Sequence, residues 1–187
     1  MTLTINLNGN TTLLKVNPSE SLLKVLRSLN DKKLLSVKCG CEKGFCGNCM
    51  VLLDDKPVPS CILPVGMVNN CNIVTLEYFK ICKSSDTSSS KENASTNTNE
   101  NNTYGTEENI NYAQYYDKII KAFSETGIQL CGYCNAGKIF TTYYLMKYFP
   151  HADIKQVNNA IKDLDCCCTD KETLTEGIMR ALQKAQI

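Results

Sequence analysis

Apolar residues recur with period two through the N-terminal part of the chain and with a helical period through the C-terminal part. Leu3, Ile5 and Leu7 alternate with polar residues, which predicts a half-buried strand. Asn8-Gly9-Asn10 is a turn signal, and residues 11–16 supply the partner strand of a hairpin. Pro18-Ser19-Glu20 opens a helix whose apolar residues Leu22, Leu23, Val25, Leu26 and Leu29 recur at helical spacing. After a glycine-studded loop, residues 50–53 read as a short apolar strand with Asp54-Asp55-Lys56 as its turn, and 73–76 as a last strand. Hairpin, helix and then further strands on one sheet is the order of a β-grasp domain.

From residue 110 onward the pattern is helical. Tyr112, Tyr115, Tyr116, Ile119, Ile120 and Phe123 form one stripe, read as core, which stops at Gly127. Residues 138–148 form a second helix ended by Pro150. Asp153 caps a third with Ile154, Val157, Ile161 and Leu164 on one face, and Thr173 or Thr175 caps a fourth. Four short helices make a small bundle. Between the two parts, Ser, Thr and Asn supply 17 of the 27 residues of 83–109, with no apolar periodicity to offset the entropy of ordering. The chain therefore divides into an α+β arrangement: a β-grasp domain over 1–82, a flexible polar linker over 83–109 and a helical domain over 110–187. With a linker that long, the two domains are expected to be held together chiefly by their partners.

Charge removes some function classes. Lys and Arg number 20 against 19 Asp and Glu, a net charge of +1, without the basic excess of a nucleic-acid binder. No apolar run approaches the ~20 residues needed to cross a bilayer. The opening MTLTINLNGN has neither a basic nor an apolar leader region, so a cytoplasmic location is expected. The single His151 follows Pro150 and reads as a loop residue.

Cysteine is the anomaly, with twelve in 187 residues. In a cytosolic chain this points to metal rather than disulfides, and most of the cysteines lie in tight clusters. The segment KCGCEKGFCGNCM (38–50) contains Cys41, Cys46 and Cys49 as C-x4-C-x2-C, with Cys61 at a distance, which is the plant-type [2Fe–2S] spacing. Gly40, Gly44 and Gly47 let a tight loop turn and bring backbone N–H groups close to sulfur. A structural zinc site would show paired C-x2-4-C knuckles, which the x4 spacing and interleaved glycines disfavour; a redox disulfide is a further alternative. Cys39 would give x6 spacing and stays outside the set, as do Cys71 and Cys82. A second set, Cys131, Cys134, Cys166 and Cys168, reads C-x2-C-x31-C-x-C.

In these motifs the chain resembles the small iron–sulfur subunit of the molybdenum hydroxylases, the xanthine dehydrogenase/aldehyde oxidase family. The matching stretches are GCEKGFCGNCMVLLDDKPVPSC (40–61), QLCGYCNAGKI (129–139) and CCCT (166–169). The resemblance implies a ferredoxin-like N-terminal domain whose Cys41, Cys46, Cys49 and Cys61 hold one [2Fe–2S] cluster. It implies a second cluster on Cys131, Cys134, Cys166 and Cys168, and a contact from Gln129 to the pterin of a molybdenum cofactor. Molybdopterin and the substrate would belong to a separate large subunit, and FAD to another. The chain itself would supply no acid, base or nucleophile, only electron transfer. Departures from the family are Ala136 in place of proline, Cys167 in place of arginine, and KETLTE inserted after Asp170. A free-standing two-cluster electron carrier or redox sensor is the alternative.

Overall fold

The computed structural model describes residues 1–29, 34–81, 112–164 and 166–185; the linker over 83–109, and Cys82 before it, lie outside the described residues. The strands are Thr2–Leu7 (β1), Asn10–Lys15 (β2), Met50–Leu53 (β3), Lys56–Pro59 (β4) and Asn72–Val74 (β5). They form one sheet in the order β2-β1-β5-β3-β4, antiparallel except for the β1–β5 pair. Leu7 faces Asn10 across the hairpin, so Asn8 and Gly9 are its two turn residues, with φ of 54° and 79°. That is the geometry a two-residue type I′ turn requires.

The strand β4 was not legible in the sequence. Its Pro57 and Pro59 argue against a strand, but β4 is the sheet edge, where a missing N–H on the outer side costs no ladder bond. The first helix, Leu22–Ser28 (α1), is capped by Ser21, whose hydroxyl accepts the Lys24 N–H at 3.3 Å. The expected strand over 73–76 stops at Val74, and Leu76–Ile81 is a helix (α2) that buries Leu76 and Phe79 three residues apart. Thr75 makes the change of direction: its N–H donates to Asn8 Oδ1 at 2.8 Å and its hydroxyl accepts from Asn8 Nδ2 at 3.0 Å.

The helical part holds Tyr112–Glu125 (α3), Asn135–Tyr148 (α4), Ile154–Ile161 (α5) and Lys171–Ala185 (α6). Asp153 caps α5 in a reciprocal capping box with Gln156, as its position predicts. The cap of α6 is Asp170 rather than Thr173 or Thr175, its carboxylate accepting from Thr173 N–H at 2.8 Å and Oγ1 at 2.7 Å. KETLTE is thus the start of α6.

The two parts are not held apart. One face of the sheet, through Leu3, Ile5, Leu7, Val51 and Ile73, packs with α1. The opposite face, through Met50, Leu52 and Val74, shares a core with α3, α4 and α6. The alternation Met50/Leu52 against Val51 shows why β3 is apolar at every position: it is covered on both sides. Phe79 sits between the two parts, its ring 5.1 Å from Tyr112, 5.3 Å from Phe140 and 5.0 Å from Tyr143. Asp55, in the β3–β4 turn, accepts from Tyr143 at 2.5 Å, Lys147 at 2.6 Å and Tyr148 at 2.6 Å, all on α4. The expectation that partners hold the domains together is corrected by this shared core. The stripe Tyr112, Tyr115, Tyr116, Ile119, Ile120 and Phe123, expected as core, lies in or against this shared core.

Candidate metal centres

The first cysteine loop follows Leu34 and Val37, both buried in the helix–sheet core, and leads into β3. Its approach is pinned by Glu77, whose carboxylate accepts from Ser36 N–H and Oγ, both at 2.5 Å. Within the loop the thiols fall into two pairs. Cys41 N–H donates to Cys46 Sγ, and Lys43 and Cys46 N–H groups donate to Cys41 Sγ, each at 3.4 Å. The Cys49 thiol is buried and neighbours that of Cys61. Cys39 is turned outward, its thiol donating to Glu42 at 2.7 Å, and Cys71 faces its own turn. Burial opposes ionisation of Cys41, but the N–H groups of Lys43, Cys46 and Phe45 outweigh it and bring its pKa to about 6. Burial, then the neighbouring Cys49, pushes Cys61 up to about 12.

The second set forms where the loop before α4 meets the loop before α6. Cys134 and Cys166 sulfurs are 3.1 Å apart, Cys166 and Cys168 3.3 Å, and Cys168 and Cys131 3.5 Å. Among the described residues, Cys131, Cys134 and Cys168 are the one group of potential metal donors lying within 4.8 Å of one another. Cys167 is exposed. The exposed Gln129 lies beside this set, and its backbone carbonyl accepts from Cys168 Sγ at 3.6 Å. Burial raises the pKa of Cys134, with Cys166 adding to it. For Cys168, burial works the other way from Cys166, Cys131, Thr169 and Lys138, which together bring it to about 6.

Lys138 was missed in the sequence. It is buried and donates to Gln129 O at 3.0 Å, Thr169 Oγ1 at 2.8 Å and Cys168 Sγ at 3.5 Å. Burial disfavours its charge, but Cys166, Cys134 and Cys168 outweigh that and hold its pKa above the ordinary lysine value. A signal was present: Lys138 stands four residues after Cys134, on the same helix face.

The two loops touch. A Cβ on Gly137 would lie 2.9 Å from Gly47 Cα and 3.1 Å from Gly47 O, so only glycine allows this approach. Tyr133, between Cys131 and Cys134, donates its hydroxyl to Cys39 O at 3.4 Å. The donors present suit iron–sulfur chemistry: soft thiols, backbone N–H groups aimed at sulfur, and a buried cation that calls for an anionic occupant.

Comparison with known proteins agrees in both halves. Residues 8–85 match a family described as a 2Fe-2S iron-sulfur cluster binding domain, and 106–179 match a [2Fe-2S] binding domain. The small FeS subunit of nicotinate dehydrogenase from Eubacterium barkeri is 27% identical over 98% of this chain and 96% of its own. The small subunit of nicotine 6-hydroxylase from Paenarthrobacter nicotinovorans is also 27% identical, over 95% and 87%. Among solved structures, quinoline 2-oxidoreductase from Pseudomonas putida aligns over 100% of this chain and 96% of its own, with a TM-score of 0.68 at 23% identity. An aldehyde oxidoreductase from Desulfovibrio desulfuricans aligns over 99% of this chain and 17% of its own, with a TM-score of 0.70 at 27% identity.

Proposed function

Since the chain belongs to the two-cluster iron–sulfur subunits of the molybdenum hydroxylase family, we propose that it carries electrons from a molybdopterin-binding large subunit to an FAD-binding subunit. The observation that carries this reading is the backbone contact between Gly47 and Gly137, which sets the two cysteine loops side by side. Each [2Fe–2S] cluster, when bound, supplies one-electron chemistry. The protein's part is to hold the clusters in series, so that a two-electron oxidation at molybdenum is drained stepwise.

In this assignment Cys41, Cys46, Cys49 and Cys61 hold the distal cluster, and Cys131, Cys134, Cys166 and Cys168 the proximal one. The exposed amide of Gln129 is the contact to the pterin, where it can both donate and accept. Substrate choice resides in the large subunit. Relatives are named for nicotinate, nicotine and aldehydes, which fits one electron-transfer subunit design serving several substrate pockets. No helix of the described residues is long and apolar enough to cross a membrane, and the setting that suits so many free thiols is the reducing cytoplasm.

Iron and acid-labile sulfide analysis of the purified chain tests the reading. The expected result is about four irons per chain, with two distinguishable EPR signals on reduction. Zinc without labile sulfide would overturn it. Copurification with a molybdopterin-binding chain and a flavin-binding chain separates the subunit from a free-standing carrier, which would purify alone with both clusters.

A further inference from the structure

Among the described residues, Lys138 is the only charged side chain in the fully buried set, with 1% of its surface exposed. Two physical costs oppose a cation there. Burial strips an ammonium of water, which is tolerated only with compensation. Lys138 also lies in the first turn of α4, at the positive end of the helix dipole, where a cation is disfavoured. Its three acceptors include no carboxylate: two are the neutral oxygens Gln129 O and Thr169 Oγ1, and the third is Cys168 Sγ. Among the described residues no ion pair involves it. Among the described residues, the compensating negative charge beside it is that of the cysteine set and what that set holds. Two ferric irons, two sulfides and four thiolates sum to a dianion, and one added electron makes it a trianion.

We propose that Lys138 is a positioning residue of the electron path: its buried ammonium, aimed at Cys168 Sγ by Gln129 O and Thr169 Oγ1, favours the reduced helical-domain cluster and raises the reduction potential of that cluster alone. The step is a one-electron reduction in which one ferric iron becomes ferrous and no bond breaks. The electron comes from the molybdenum centre in the assembled complex, or from dithionite in the test. Among the described residues, the first cysteine loop has no counterpart to this residue, since the sulfur contacts found there come from backbone N–H groups and neighbouring thiols.

The inference rests on the two-cluster reading, which iron, sulfide and the two EPR signals of the wild-type chain decide first. The test is then an EPR-monitored redox titration of the full-length, cluster-loaded chain carrying Lys138→Met, Lys138→Gln or Lys138→Arg. In the Met and Gln variants the helical-domain cluster should become at least tenfold harder to reduce. That is a shift of about 59 mV or more to negative potential for one electron. The ferredoxin-like signal should stay in place, and Lys138→Arg should remain within threefold of wild type. Unchanged potentials in the Met and Gln variants would overturn the proposal, as would equal shifts of both clusters. Loss of the helical-domain cluster from both neutral variants with retention in Lys138→Arg would overturn it too, because the charge would then be needed for holding the cluster rather than for setting its potential.

Discussion

Three adjacent thiols, Cys166, Cys167 and Cys168, have to be divided between a cluster and solvent. Consecutive side chains on an extended segment point to opposite sides, and residues two apart share a face. The sulfurs of Cys166 and Cys168 are 3.3 Å apart, Cys166 beside the Cys134 thiol and Cys168 beside that of Cys131, while Cys167 is exposed. An arginine at the middle position, the family's usual residue, would therefore extend into solvent and displace nothing. Cys167→Arg should keep about four irons per chain and both reduced EPR signals. Cys166→Ala or Cys168→Ala, each made with Cys167→Ser to prevent rescue by the neighbour, should fall to about two irons and lose only the helical-domain signal. Loss of that signal in Cys167→Arg alone would make Cys167 the ligand.

At the scale of elements, the decisive contact is loop against helix start. Gly47 has a φ of 69°, and a Cβ there would lie 2.9 Å from Leu164 and 3.1 Å from Gly137 Cα, so neither partner of the Gly47–Gly137 pair tolerates a side chain. Gly137→Ala sets a methyl against backbone, which cannot swing aside as a side-chain tip can, and overpacking of this kind costs about 1–3 kcal/mol. The expected variant keeps both clusters, unfolds at lower urea concentration, and shows weaker magnetic coupling between the two reduced clusters because the loops have parted. Unaltered coupling would mean that the contact does not set their separation. How much of this was readable follows from which residues act locally. The β1–β2 hairpin was legible because Asn8-Gly9 specifies its own turn, and the C-x4-C-x2-C and C-x2-C motifs stood out because their spacing is a local property. The strand β4 was hidden by Pro57 and Pro59, which are acceptable only because a distant ordering of strands makes β4 an edge. The end of β5 was misplaced because Thr75 leaves the sheet to pair with Asn8, 67 residues away. Lys138 resembled a surface lysine on a helix until the loops around it were folded.

For the whole molecule the question is what makes two domains, far apart in sequence, present their cysteine loops to each other at a fixed spacing. The shared core around Phe79 supplies adhesion, but apolar packing alone tolerates sliding; direction comes from polar groups. Asp55 is the strongest of these. Its φ of 69° in the β3–β4 turn projects the carboxylate onto α4, where it meets the buried Tyr143 hydroxyl, the Lys147 ammonium and the Tyr148 hydroxyl. The same carboxylate pushes the Tyr148 phenol up to about 12, first by hydrogen bonding and then with burial and charge, and it adds to the effect of burial in raising Tyr143. With side-chain exposures of 20% and 13%, the Lys147–Asp55 pair is too sheltered to be discounted as a surface ion pair. Asp55→Ala leaves a buried hydroxyl and a half-buried ammonium without their acceptor, at a cost of about 3 kcal/mol. For a chain of this size that is a fall in Tm of about 10 °C. Because each cluster is held within its own loop region, iron content and both EPR signals should survive below the new Tm, while coupling between the clusters broadens as α4 shifts on the sheet. Asp55→Asn, which keeps an acceptor but not the charge, should fall between the two. A Tm within about 2 °C of wild type for Asp55→Ala would show that the apolar core alone fixes the arrangement.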